Sequence, residues 1–196
     1  MKDAGIEEWY IKSCQKIKYM FPKAHAAAYV ISAFRIAYFK VHHPIYYYSA
    51  FFSNRCDDFD VETMIKGETG IRAKIEELEE KGFEATNKES NLLDVLYVAL
   101  EMTCRGFTFK NIDLNKSDSK YFLIDDDNKS LILPFRALDG LGAQVATNIV
   151  KEREIGAYIS IEDVQNRGKV NQTAIEKLRS LGVFEGLPES SQLSLF

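Results

Sequence analysis

Two closely spaced glycines interrupt an otherwise helical stretch in the last third of the chain. They belong to the run Leu138-Asp139-Gly140-Leu141-Gly142, after which Ala146, Ile149 and Val150 recur on one helical face. Glycines permit a tight turn that exposes backbone amides at the start of a helix. Such amides, with the positive end of the helix dipole, bind a phosphate oxygen. This contact reads no bases, so the predicted binding is independent of sequence and sensitive to salt.

The order hydrophobic-x-Gly-hydrophobic-Gly, followed after three residues by Ala, matches the helix-hairpin-helix pattern. Lys151 and Arg153 lie further along the predicted helix, where they would add phosphate contacts. The alternative interpretation is a glycine-rich turn between helices that binds no ligand, and the run alone favours neither.

A second unit of the same kind follows the first. Residues 164–167 would end one helix, residues 168–171 would form its hairpin, and Asn171 would cap a helix over 172–181. Its glycine pattern is incomplete, so we expect it to pack mainly against the first unit. The candidate phosphate-binding residues of both units are Gly140, Leu141, Gly142, Lys151, Arg153 and Lys169.

A helix predicted over about 23–41 combines cationic, hydroxyl and aromatic side chains. At about 100° per residue, one stripe contains His25, Tyr29, Ser32, Ile36 and Lys40. The adjoining apolar stripe, predicted to be core, contains Val30, Ala33, Phe34, Ala37 and Val41. The first stripe would present polar groups to an anion. The alternative is a plain amphipathic helix with no ligand.

The chain ends in the run Gln192-Leu193-Ser194-Leu195-Phe196. A glutamine with spaced apolar anchors is typical of a peptide that docks on another protein, because the anchors enter pockets and the amide forms hydrogen bonds. Residues 185–196 together are expected to form a mobile tail. The alternative is a frayed end, although exposed Leu and Phe are a liability.

The composition limits the class of protein. The hydrophobic fraction of 46% and the charged fraction of 28% are typical of a soluble globular protein. No membrane span is predicted, and the three cysteines have neither disulfide nor zinc spacing, so we expect buried thiols in the cytoplasm. Net charge is −4, but residues 1–56 contain eight Lys/Arg against three Asp/Glu, and the remainder seventeen against twenty-six. An anion site confined to one part of the chain is compatible with this distribution.

The elements that position these residues are predicted to be mostly α-helical, with one small β-hairpin or sheet near 107–135. Helices are predicted over about 6–20, 23–41, 46–53, 57–81, from 91 to about 105, and across 135–185 between glycines. Residues 84–91 are expected to be a polar connector. Apolar runs at 121–124 and 131–133 flank turn residues and predict the hairpin. Its Asp run lacks the glycine and glutamate of a calcium loop, so no metal site is predicted there.

Motifs along nearly the whole chain resemble the C-terminal end of the PolC-type DNA polymerase III alpha subunit, a replicase of Gram-positive bacteria. The resemblance begins with Phe21-Pro22-Lys23-Ala24-His25-Ala26-Ala27-Ala28-Tyr29 and Arg35-Ile36-Ala37-Tyr38-Phe39-Lys40-Val41-His42-His43-Pro44. It continues through residues 64–67, 71–74, 99–102, 140–142, 167–170 and 186–188. The final pentapeptide is similar to the bacterial sliding-clamp binding peptide.

The resemblance implies three parts. Residues 1–85 would be the C-terminal part of the polymerase fingers domain, residues 86–187 a duplex-DNA-binding domain with its helix-hairpin-helix over 138–182, and residues 188–196 a flexible tail. The fingers candidates for contact with a deoxynucleoside triphosphate or the template are Lys23, His25, Tyr29 and Arg35. The tail would bind the sliding clamp through Gln192, Leu193, Leu195 and Phe196.

The resemblance also implies partners and an absence. The partners are duplex DNA, the sliding clamp and the rest of the alpha subunit. Nucleotidyl transfer needs two Mg²⁺ ions about 3.5–4 Å apart on carboxylates, which in this family sit in a palm domain that the sequence lacks. We therefore expect no cofactor in this chain and no polymerase activity from it alone.

Two rival functions remain open on the sequence. One is a free-standing DNA-binding protein, and the other is a clamp adaptor with no role in DNA binding. The first requires residues 1–60 to be a self-sufficient fold. The aromatic residues of this segment would either contact a neighbouring domain or form a packed core. They are Tyr46, Tyr47, Tyr48, Phe51 and Phe52.

Overall fold

The chain divides into two units, Met1–His42 and His43–Phe196. The computed structural model describes residues 1–17 and 22–190. The boundary predicted at residue 85 lies within the second unit. As a division between functional domains it stays a prediction, because compactness alone does not test it.

Over residues 1–17 and 22–42, the first unit contains two α-helices. A 3-10 turn over Lys2–Ala4 precedes α1, which spans Glu8–Gln15, and α2 spans Lys23–His42. The carbonyl of Pro22 accepts the amides of His25 and Ala26, at 3.0 and 3.2 Å, and so starts α2. The alanine run favours the helical backbone, and His43 before Pro44 ends it, as predicted.

The apolar stripe of α2 is exposed. Val30, Phe34 and Val41 are 52%, 72% and 65% exposed, and no residue of α2 is buried. The prediction that this stripe forms core is therefore wrong for the described residues. Periodicity can identify an apolar face, but it does not show what, if anything, covers that face.

The second unit begins with four helices, which are α3 (Pro44–Asn54), α4 (Val61–Met64), α5 (Gly67–Lys81) and α6 (Asn87–Cys104). The predicted polar connector over 84–91 is wrong, because α6 begins at Asn87. Thr86 caps it by accepting the amide of Glu89, whose carboxylate accepts the amide of Thr86 in return. This reciprocal capping box was present in the sequence as Thr-x-x-Glu.

The aromatic residues of α3 mostly form core. Tyr48 and Phe52 are fully buried, Tyr47 and Phe51 pack against the same cluster, and Tyr46 is exposed. The packed-core interpretation is therefore correct for four of the five residues. No neighbouring domain is needed to cover them.

A small sheet follows α6. Strands β1 (Thr108–Lys110), β2 (Leu123–Ile124) and β3 (Ser130–Ile132) lie in the order β1-β3-β2. β2 and β3 are antiparallel, with Leu123 opposite Ile132, while β1 is parallel to β3. The predicted hairpin is confirmed, and so is the fold class, which is mostly α with a small sheet.

Phe122, just before β2, joins the sheet to α3. Ser49 Oγ donates to its carbonyl at 2.6 Å, and its amide donates to Ser53 Oγ at 2.9 Å. Its ring lies 4.9 Å from that of Phe59 and 5.8 Å from that of Phe52. Edge-to-face contacts of this kind add to the stabilisation that burial provides.

Three helices complete the second unit. A 3-10 turn over Phe135–Ala137 leads into α7 (Ala143–Ile155), α8 (Ile161–Gly168) and α9 (Gln172–Ser180). Helices thus occur on both sides of the second predicted hairpin. The first hairpin is entered from the 3-10 turn rather than from an α-helix.

The cysteines differ in environment. Cys56 is buried, and burial raises the pKa of its thiol to about 12. Cys14 is half-buried and Cys104 is exposed. The expectation of buried, inert thiols is therefore correct for Cys56 and wrong for Cys104. Among the described residues, no helix is long and apolar enough to cross a membrane.

Phe122→Ala should lower the free energy of unfolding by about 3–5 kcal/mol, because it leaves a cavity among buried rings. Urea unfolding followed by circular dichroism measures this. The control is Tyr121→Ala, since the neighbouring ring is 59% exposed and its loss should change stability by less than about 0.5 kcal/mol. Equal effects from the two variants would contradict the assignment of Phe122 to the core.

Candidate functional site: the hairpin at the start of helix α7

The loop of residues 138–142, called here the first hairpin, is fixed at two apolar points. Leu138 and Leu141 are each 5% exposed, and the amide of Leu141 donates to the carbonyl of Leu138 at 3.0 Å. Gly140 between them has φ +87°. That left-handed conformation strains residues with a Cβ, so glycine is required here. The two buried leucines therefore anchor the hairpin in the core, whereas Asp139, Gly140 and Gly142 stay exposed.

The first amides of α7 face open space. Gly142 is the N-cap residue, with φ −63° and ψ 154°, and no side chain caps the helix. A Cβ added at Gly142 would meet no atom within 4 Å. The first amides of any α-helix lack an intrahelical acceptor. With the positive end of the helix dipole behind them, these amides form a site for an anion.

Two lysines meet at Asp139 beside this site. Lys88 Nζ lies 3.2 Å from one carboxylate oxygen, and Lys177 Nζ lies 3.4 Å from the other and 2.7 Å from the Asp139 carbonyl oxygen. The hydrogen bond and charge of Lys88, with those of Lys177, lower the pKa of the Asp139 carboxyl. Asp139 is therefore ionised at neutral pH. The three side chains together contribute one net positive charge at the hairpin.

A groove of about 310 Å³ flanks the hairpin. It is lined by residues 137–142 on one side and by Cys56, Asp57, Lys88 and Arg136 on the other. Arg136 is held in place by Asp57, with nitrogen–oxygen distances of 2.8 and 2.6 Å. The hairpin therefore borders an open, partly cationic depression.

The basic residues predicted along α7 have different roles. Lys151 is exposed, as a phosphate contact would require. Arg153 instead donates from Nη1 to the carbonyls of Leu114 and Ser117, at 3.0 and 2.9 Å. Its guanidinium links α7 to the loop between β1 and β2. Side chains two residues apart on a helix point about 200° apart around its axis. Lys151 and Arg153 therefore lie on different faces of α7.

The second hairpin, residues 168–171, lacks the open helix start of the first, because a side chain caps its helix and its turn packs against α7. Asn171 caps α9 by accepting the amide of Ala174 at 2.8 Å, as predicted. A Cβ at Gly168 would lie 3.0 Å from Ile149 Cγ1, so this turn packs tightly on α7. The left-handed residue is Lys169, with φ +55°, rather than a glycine. Lys169 itself is exposed.

Comparison with known proteins agrees with this geometry. Residues 106–193, which include both hairpins, match a family described as "Helix-hairpin-helix motif". The "DNA polymerase III PolC-type" proteins of Bacillus subtilis and Halalkalibacterium halodurans are each 56% identical over 196 residues, which is 100% of this chain and 14% of theirs. That of Lactococcus lactis is 52% identical over the same length. Over its whole length, the chain therefore matches a segment of the PolC-type DNA polymerase III proteins. It spans 14% of the length of the first of these curated relatives.

The four fingers candidates do not share one face. Lys23, His25, Tyr29 and Arg35 are all exposed on α2. The rings of His25 and Tyr29 are together, with centroids 4.6 Å apart. On an ideal helix, however, Lys23, Arg35 and Tyr29 point in three directions about 120° apart. A single small ligand at one face would meet the His25–Tyr29 pair but not both cations.

The acidic turn of this segment is bound to lysines and backbone. Lys110 and Lys116 form ion pairs with Asp125, and Asp127 accepts the amides of Lys129 and Ser130 at 2.8 Å each. These hydrogen bonds, led by the one from Lys129, lower the pKa of Asp127. Across residues 1–17 and 22–190, no group of three or more His, Cys, Asp or Glu side chains could hold a metal ion.

The part of the predicted tail that the structure describes forms hydrogen bonds with α8 and α9. The amides of Ile161 and Glu162 donate to the carbonyls of Pro188 and Glu189, both at 3.0 Å. Arg179 also binds the Glu189 carboxylate at 2.7 Å. These carbonyls cap α8, so Pro188 and Glu189 contact the rest of the second unit, and the mobility expected from residue 185 stays a prediction. The clamp candidates Gln192, Leu193, Leu195 and Phe196 lie outside the described residues.

Arg153→Ala should lower the free energy of unfolding by about 1.5–3 kcal/mol, because it removes two hydrogen bonds from a charged donor. Lys151→Ala should change it by less than about 0.5 kcal/mol, as is usual for an exposed side chain. Urea unfolding of the two variants side by side provides the measurement. An Arg153 variant as stable as the Lys151 variant would show that the guanidinium does not stabilise the fold.

Proposed function

We propose that this segment of a PolC-type polymerase grips the phosphate backbone of duplex DNA without regard to base sequence. The observation that carries the proposal is the uncapped, exposed start of α7 after Gly142. Backbone amides in this position bind a phosphate oxygen and carry no base information. The similarity of residues 106–193 to a helix-hairpin-helix family supports the assignment.

Within the parent DNA-directed DNA polymerase, we propose that the segment holds the template–primer duplex while other parts perform the chemistry. The carboxylates that bind Mg²⁺ for nucleotidyl transfer would lie in the rest of the alpha subunit. On this proposal the segment alone has no polymerase activity. Residues 1–85 would complete the fingers domain, with Lys23, His25, Tyr29 and Arg35 near the nucleotide or template. The adjacent rings of His25 and Tyr29 support a shared contact for those two.

We also propose that the terminal peptide ties the segment to the sliding clamp through Gln192, Leu193, Leu195 and Phe196. The support is the sequence itself, with a glutamine and three spaced apolar anchors. Such a contact would be weak alone and effective by tethering, because linked binding events raise the local concentration of the second site.

Gly142→Asp and Gly142→Asn test the DNA contact. Both side chains can cap α7 without strain, because φ is −63° and the space is open, so stability should stay within a few tenths of a kcal/mol or rise. The aspartate also places a negative charge where the phosphate would bind. Its affinity for duplex DNA should therefore fall about 10- to 100-fold, and that of the asparagine variant should fall less.

Fluorescence anisotropy over a salt series measures these affinities, with two duplexes of unrelated sequence. The unaltered chain should bind both equally and lose affinity steeply as salt rises. Unchanged binding by the aspartate variant would exclude the hairpin as the contact. A pure clamp adaptor, the rival function, would show no dependence on Gly142 in any assay.

A chain that ends at Ser191 tests the clamp contact. It should bind duplex DNA as the full chain does, but purified sliding clamp should no longer raise its anisotropy signal or its retention on DNA. The control replaces Ser194, the polar residue between the anchors, by Ala, which should leave clamp recruitment intact. Recruitment that survives the truncation would place the clamp contact elsewhere.

A further inference from the structure

The cations closest to the first hairpin come from outside it. Lys88 belongs to α6 and Lys177 to α9, and both bind the Asp139 side chain. A Cβ placed on Gly140 would lie 3.7 Å from Lys177 Nζ. An ammonium group therefore stands beside the left-handed glycine of the turn, two residues before the N-cap of α7.

The ion pairs at Asp139 are weak enough to be exchanged. The side chains of Lys88 and Asp139 are 73% and 75% exposed, and exposed pairs stabilise a protein by only about 0–1 kcal/mol. A phosphate group that the helix amides hold would compete for the same ammonium groups. It would do so with better hydrogen-bond geometry, because donors would reach it from several sides.

The surroundings leave room for this exchange. Lys88, Leu138 and Asp139 line two adjoining grooves, of about 360 and 310 Å³. Lys177 lines the larger of the two. By contrast, Arg153, which sequence reasoning selected, has its guanidinium bound to the carbonyls of Leu114 and Ser117.

We infer that Lys88 and Lys177 are the charged phosphate ligands of the hairpin, and that Asp139 is the counter-ion that holds them in place without DNA. This inference rests on the proposed function. To the backbone amides proposed there, it adds the charged side chains that would contact the phosphate. On binding, a DNA phosphate takes the place of the Asp139 carboxylate at one or both ammonium groups. Lys177 keeps its bond to the Asp139 carbonyl and continues to support the turn.

Charge-neutral variants of the 196-residue chain test the inference. Lys88→Gln and Lys177→Gln retain a hydrogen-bond donor without the charge, and each should reduce the slope of log affinity against log salt by about 0.9. Asp139→Asn removes the competing carboxylate, so affinity at fixed salt should rise about two- to fivefold, the range expected for one exposed ion pair. Lys74→Gln is the matched control, since Lys74 forms an exposed pair with Glu77 at 2.8 Å, and its slope should not change.

The outcomes separate the two proposals. Unchanged slopes for both lysine variants, together with weak binding by Gly142→Asp, overturn the lysine assignment and leave the hairpin contact standing. Weaker binding by Asp139→Asn overturns the counter-ion role. If the unaltered chain does not bind duplex DNA at low salt, both proposals fall. Urea unfolding of every variant shows whether a loss of binding reflects a loss of fold.

Discussion

The free amides at the start of α7 are the constraint around which the second unit is arranged. They stay available only because Leu138 and Leu141 anchor the turn from within the core, Gly140 accepts a left-handed backbone, and Gly142 brings no capping side chain. The missing cap would be a defect in a helix that served structure alone, since an Asn cap of the kind at α9 would add stability. The second hairpin shows that alternative, and it packs on α7 instead of opening to solvent.

The basic residues divide according to what occupies their donors. Arg153 donates to backbone carbonyls, and these bonds hold α7 in place. Arg136 binds Asp57, and this contact holds the 3-10 turn in place. Arginine suits this use because its planar fork meets several acceptors at once. Lys88 binds one exposed carboxylate instead, and Lys177 binds the same carboxylate together with the Asp139 carbonyl. On the inference above, the bonds of these two lysines to the carboxylate are the ones that a phosphate would replace.

How much the sequence could predict depended on the range of the interactions. The hairpin at β2 and β3, the end of α2 and the Asn171 cap follow from neighbours within a few residues, and each was predicted. The structural bonds of Arg153 were not predicted, because its acceptors lie 36 and 39 residues away. The pairing of Lys88 with Asp139 was not predicted for the same reason, since 51 residues separate the two. The exposed stripe of α2 marks the same limit, because a periodic pattern does not say what covers it.

The attachment of residues 188–189 links the two proposed activities physically. Their carbonyls cap α8, and Arg179 of α9 binds Glu189, so the chain leaves the helix-hairpin-helix unit from a fixed point. Gln192 follows Glu189 by three residues, a span of at most about 11 Å of extended chain. A clamp bound there would stay close to the unit that grips DNA. Effective concentration falls as a tether lengthens. A tether that begins at Glu189, only three residues before Gln192, therefore favours simultaneous binding of the clamp and the duplex.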